Sequence, residues 1–75
     1  MKNVKIGDEV AYMTWRGIEK SATIVNIEIC KIGEKEGTSV SCCDLDHHSN
    51  GTITLSNDHW CYFDQVIRVN KRKQQ

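Results

Sequence analysis

The run Ala22-Thr23-Ile24-Val25-Asn26-Ile27-Glu28-Ile29-Cys30 constrains the fold more than any other stretch of this chain. It is rich in β-branched side chains, whose stiff χ1 suits a pleated strand. Val25, Ile27 and Ile29 fall on one side, and Asn26 and Glu28 on the other. The spacing predicts a strand with one buried face and one partly wet face. No stretch shows the three-and-four spacing of an amphipathic helix of useful length. The chain is therefore expected to be all-β.

Shorter strands are legible around this one. Val4, Ile6, Val10 and Tyr12 recur at mostly even spacing around the Gly7-Asp8 turn signal and read as the first strand. Residues 31–37 are polar and closed by glycines, which suits an exposed loop. A third strand is expected over Thr38 to Leu45, where Val40, Cys42 and Asp44 share one face and Ser41, Cys43 and Leu45 the other, with no clear inward side. Asn50-Gly51 is a hairpin signal because both residues tolerate positive φ, and Thr52 to Leu55 follows as strand four. Ser56-Asn57-Asp58 is a turn, and His59 to Tyr62 is a short aromatic strand that pairs back on strand four. Phe63 to Val66 suits a single 3₁₀ turn, and Ile67, Arg68 and Val69 supply the last strand.

The 75 residues are enough for one core. Residues 1–70 are read as a single domain and 71–75 as a polar basic tail. With 39% apolar and 27% charged residues the chain has the composition of a folded protein. Ten Lys and Arg balance ten Asp and Glu, so no global field draws it to a polyanion or a membrane surface. The opening residues pass straight into strand-like sequence, with no apolar stretch of signal-peptide or membrane-span length, and a cytoplasmic location is expected. There the four cysteines, Cys30, Cys42, Cys43 and Cys61, are expected as free thiols or metal ligands and not as disulfides.

Val4-Lys5-Ile6-Gly7-Asp8-Glu9-Val10-Ala11-Tyr12 followed by Ala22 to Ile27 resembles the start of SH3-like barrels of the KOW and Tudor kind. Trp60 to Val69 is similar to their closing order of strand, 3₁₀ turn and strand. The resemblance implies a small five- to six-stranded SH3-like barrel with a short 3₁₀ turn before the last strand. In the first loop the KOW glycines are reduced to Gly17, and Glu19 stands beside Arg16 and Lys20, so RNA binding is not carried over with the fold. Barrels of this class host nucleic-acid binders, peptide binders and structural modules alike.

Several residue sets have chemistry open to them. Cys43, His47, His59 and Cys61 are zinc-ligand types on neighbouring strands and one hairpin, and His59 and Cys61 lie two apart on one strand. Against a metal, no Cys-x-x-Cys pair exists and buried free cysteine behaves as a small hydrophobe, so no cofactor is expected. Cys61 or Cys42 with His59 or His48 and Asp58 or Asp46 copies the parts of a cysteine hydrolase, without any surrounding family context. Asp44 and Asp46 are too few oxygens for calcium. An enzyme is the least favoured class.

Tyr12, Trp15, Trp60, Tyr62 and Phe63 serve equally as a core or a contact surface. Trp60 and Tyr62 share a strand face, and turned inward they fill the barrel. Trp15 sits beside Arg16 and Gly17 at a turn. Tyr12, Trp15, Arg16 and Trp60 are accordingly the candidate partner-binding residues. Lys2, Lys5, Arg68, Lys71, Arg72 and Lys73 come from the two ends of the chain and form a candidate nucleic-acid patch. The leading expectation is a non-enzymatic bacterial or phage-like module that contacts a protein partner. Nucleic-acid binding and a zinc-stabilised module are the alternatives, and no membrane partner is expected.

Overall fold

The computed structural model describes residues 3–30, 37–46 and 50–70. All-β architecture is present as expected: β1 (Asn3–Lys5), β2 (Glu9–Met13), β3 (Glu19–Ile29), β4 (Thr38–Val40), β5 (Cys42–Asp44), β6 (Gly51–Leu55), β7 (Trp60–Tyr62) and β8 (Val66–Asn70), with a 3₁₀ turn at Phe63–Gln65. The strands outnumber the expected five or six because two of the anticipated strands are each broken. The first breaks at Gly7, where the Asp8 N–H donates to the Lys5 carbonyl at 3.0 Å. The third breaks at Ser41.

All pairings are antiparallel, in the order β7-β6-β3-β2-β8, with β4 also on β3 and β5 on β1. Among the described residues the ladder stays open, since no pairing joins β7 to β8; the 3₁₀ turn connects them. β3 is the organising element. Its first half pairs with β2, and its second half lies between β4 and β6.

The buried face of β3 departs from strict alternation. Ala22 and Ile24 are buried, Val25 is 48% exposed, and Ile27 and Ile29 are buried again. Opposite β6, Ile24 pairs with Leu55 and Asn26 with Thr54, so Val25 is an extra residue bulged out of the ladder. A bulge adds one residue and bends the strand, which moves the inward positions from even to odd numbers. The expectation that Val25 shares the buried face fails for this reason. The bend lets one strand serve two neighbours on the same edge.

The undecided register of the third strand has a similar resolution. Val40 packs inward on β3, Ser41 is exposed, and Cys43 and Leu45 then turn inward. Ser41 ends the pairing with β3 and its carbonyl accepts from the Ile6 N–H at 3.0 Å, handing the chain to β1. Parity changes as the chain changes partners.

Asn50-Gly51 does not act as the expected hairpin turn. β5 pairs with β1 and not with β6, neither residue has positive φ, and Gly51 is the first residue of β6, opposite Ile29. Glycine is required for close approach: a Cβ there would stand 2.3 Å from the Phe63 ring and 2.6 Å from the Glu28 carbonyl oxygen. The core beneath is Val4, Val10, Ile24, Ile27, Ile53, Leu55, Phe63 and Val66, with the Cys61 thiol among them.

Candidate functional site

Two hairpins of the same local design overhang one side of this core. In the β2–β3 hairpin, Trp15-Arg16-Gly17 form the loop. The Gly17 N–H donates to the Thr14 carbonyl at 2.9 Å, the Thr14 N–H donates to the Ile18 carbonyl at 2.8 Å, and Gly17 has φ +79°. This is a three-residue hairpin loop ending in a left-handed residue. In the β6–β7 hairpin, Ser56-Asn57-Asp58 repeat it: the Leu55 N–H donates to the His59 carbonyl at 2.8 Å, and Asp58 takes the left-handed position at φ 65°. Aspartate tolerates that region better than most side chains. The Asn57 side chain accepts from the His59 N–H and fixes the bend.

Between the hairpins lies an open groove of about 830 Å³. One wall carries Thr14, Trp15, Arg16, Ile18 and Lys20; the other carries Asp58, His59, Trp60 and Tyr62, with Gln65 at the end. The large apolar side chains face solvent: Trp15 is 85% exposed, Trp60 57%, Tyr62 54% and Ile18 53%. Trp60 and Tyr62 meet edge to face, with centroids 5.0 Å apart at 88°. The Arg16 guanidinium lies 4.9 Å from the centre of the Trp15 ring.

The groove is braced from below. Tyr12 is buried, correcting its expected place on the surface: Val10 and Tyr12 occupy the inward positions of β2, so the ring belongs to the core. Only its hydroxyl reaches the second hairpin, accepting from Asn57 Nδ2 at 3.1 Å and lying 3.4 Å from His59 Nδ1. Gln65 joins the walls at the far end, donating from Nε2 to the Met13 carbonyl at 2.9 Å and accepting from the Tyr62 N–H at 2.8 Å. These contacts position the exposed rings without covering them.

Trp60 and Tyr62 point outward, and the reading that they fill the barrel is corrected. In the β6–β7 ladder Cys61 pairs with Ile53, and that pair takes the inward position. Trp15, Arg16 and Trp60 are thus brought together. Tyr62 joins them on the strand face it shares with Trp60, and Ile18, Lys20 and His59 join unforeseen. Ile18 and Lys20 had no local signal.

Lys5 is exposed on β1. Arg68 on β8 is exposed and bound to Glu19 Oε2 at 2.7 Å. Lys2, Lys71, Arg72 and Lys73 lie outside the described residues, as do His47 and His48 and residues 31–36 of the expected loop. All four cysteines are free thiols. Among the described residues no group of three or more His, Cys, Asp or Glu is placed to hold a metal ion. Asp44 accepts from the Asp46 N–H, a local turn contact.

Burial pushes the Cys61 thiol up to about 11, with Asp64 adding to the effect. Burial, then Cys42 and Asp44, raise Cys43 as well. Both shifts oppose the thiolate that a nucleophile or metal ligand needs. The Cys61 shift also sets a pH dependence. The unfolded thiol releases its proton near its ordinary 9.0, whereas the folded one keeps it to about 11. Over that interval the native state binds more protons, so this contribution to stability is fully present below pH 9 and is lost as pH rises toward 11. Urea unfolding over this range should show stability falling by at most about 1.4 kcal/mol per pH unit more steeply in the native sequence than in Cys61→Val. Parallel pH profiles would contradict it.

No helix among the described residues is long and apolar enough to cross a membrane. No protein-family model, curated protein or solved structure matches the chain.

Proposed function

We propose that this protein is a non-enzymatic binding module of SH3-like architecture, of the KOW and Tudor kind, which docks a segment of a protein partner in the groove between its two hairpins. The supporting observation is the gathering of Trp15, Ile18, Trp60 and Tyr62, each more than half exposed, on one concave surface. Isolated exposed apolar residues are ordinary, but a contiguous aromatic patch with a polar rim is what an interaction site offers. Tryptophan and tyrosine supply large contact area at low entropic cost and dominate binding energies where they occur. The order of strand, 3₁₀ turn and strand at Trp60 to Asn70 supports the architectural part of the reading.

Exposed rings contribute little to folding, so function and stability separate cleanly here. Trp60→Ala and Trp15→Ala should each leave thermal unfolding within roughly 0.5 kcal/mol of the native sequence. Each should weaken partner binding by about 2 kcal/mol, roughly thirtyfold. Pull-down of the partner from its native host followed by titration with each variant provides the check. Undiminished capture by both variants would refute the assignment.

A further inference from the structure

We propose that the occupant of the groove is an acidic peptide segment, which sets carboxylates against Arg16 and Lys20 and an aromatic or aliphatic side chain between Trp15 and Trp60. The proposal rests on the groove being the binding site and adds the chemistry of what it binds.

The first ground is how the β2–β3 hairpin sorts its charges. Side chains alternate along paired strands. Met13 lies opposite Glu19, and Tyr12 opposite Lys20. Glu19 therefore falls on the face away from Tyr12, where Arg68 binds it across β2 at 2.7 Å. Lys20 falls on the face of Tyr12 and lines the groove with Arg16. Glu19, the carboxylate beside the hairpin loop, is turned away and paired with Arg68, and two cations remain on the wall.

The second ground is the opposite wall. Among the described residues Asp58 is the carboxylate on the groove lining, next to His59. A groove with two cations on one side and a carboxylate on the other fits a peptide, whose backbone N–H groups or a lysine can face Asp58. A single-stranded nucleic acid offers the rings something to stack on and the cations a phosphate. It brings a repulsive anionic backbone to Asp58. A chain with ten cationic and ten anionic residues also exerts no long-range pull on such a polyanion.

The third ground is the Arg16 guanidinium stacked on Trp15. A carboxylate bound there leaves the neighbouring side chain against the ring, so one dipeptide satisfies both groups.

Trp15 and Trp60 are the chain's two tryptophans, so intrinsic fluorescence reports on the groove directly. The probe is a short synthetic peptide with Asp and Glu flanking a central Phe. It is compared with a counterpart carrying Lys in place of the acids and with a mixed-sequence single-stranded oligonucleotide. The acidic peptide should give a saturable change, with binding at least about tenfold tighter than either comparison. In the double variant Arg16→Glu with Lys20→Glu that order should reverse while thermal unfolding stays unchanged. Tighter binding of the Lys peptide or the oligonucleotide, or an unchanged order in the double variant, would overturn the proposal. No response to any probe, in a protein whose partner capture is still lost on Trp60→Ala, overturns the acidic occupant and leaves the groove standing. Capture indifferent to both Trp15→Ala and Trp60→Ala brings down both.

Discussion

Gly51→Ala is expected to destabilise the protein by about 3 kcal/mol, the upper end of the cost of forcing extra volume into a packed core. In an ordinary strand the same change stabilises by roughly 0.5–1 kcal/mol, because alanine loses less backbone freedom on folding. Here the new Cβ would stand 2.3 Å from the Phe63 ring and 2.6 Å from the Glu28 carbonyl oxygen. Neither can yield cheaply. Phe63 is buried at the start of the 3₁₀ turn, and the Glu28 carbonyl belongs to the ladder joining β3 to β6. A 75-residue domain holds roughly 4–11 kcal/mol in total, so the loss is a large share of it. Urea unfolding should show a lower midpoint, partly restored by adding Phe63→Leu, which shortens the ring side of the clash. A raised midpoint for Gly51→Ala would mean that Phe63 does not pack on this glycine.

The neighbouring pair Ile24 and Val25 gives the second large effect. Ile24→Ala should cost about 3 kcal/mol, as removal of a fully buried branched side chain does. Val25→Ala should cost under about 1 kcal/mol, since its side chain stands half in solvent at the bulge. Unbroken alternation through Val25, Ile27 and Ile29 predicts the opposite ranking. Denaturant unfolding of the two variants separates these accounts. Val25→Ala as the costlier substitution would remove the bulge and the inward parity built on it.

The same residues mark what could be read in advance. Strand class, the Gly7-Asp8 turn, the pairing of the aromatic strand with strand four and the 3₁₀ turn after it were legible, because each depends on local preference. Bulges were not. The extra residue at Val25 is fixed by what β3 must pair with on each edge, and no neighbour in sequence records that. Gly51 was read for its φ, yet it is glycine because of a ring twelve positions away. Trp15 and Arg16 were legible as an exposed turn because a three-residue loop exposes what it carries. Trp60 and Tyr62 were left between core and surface because their strand has two possible faces, and only the pairing of Cys61 with Ile53 decides between them. Lys20 joined the site through its register with Tyr12, a relation set by the hairpin and not by composition.

The proposed function puts partner binding in the groove between the two hairpins. An amide NMR titration of ¹⁵N-labelled protein tests it most directly, with the acidic peptide, its lysine counterpart and the oligonucleotide added in separate experiments. Binding in the groove predicts shifts centred on the Trp15 and Trp60 indole N–H groups and on the amides of Ile18, Lys20 and Tyr62, with the acidic peptide the most effective ligand. Shifts gathered instead around Lys5 and Arg68 would contradict it.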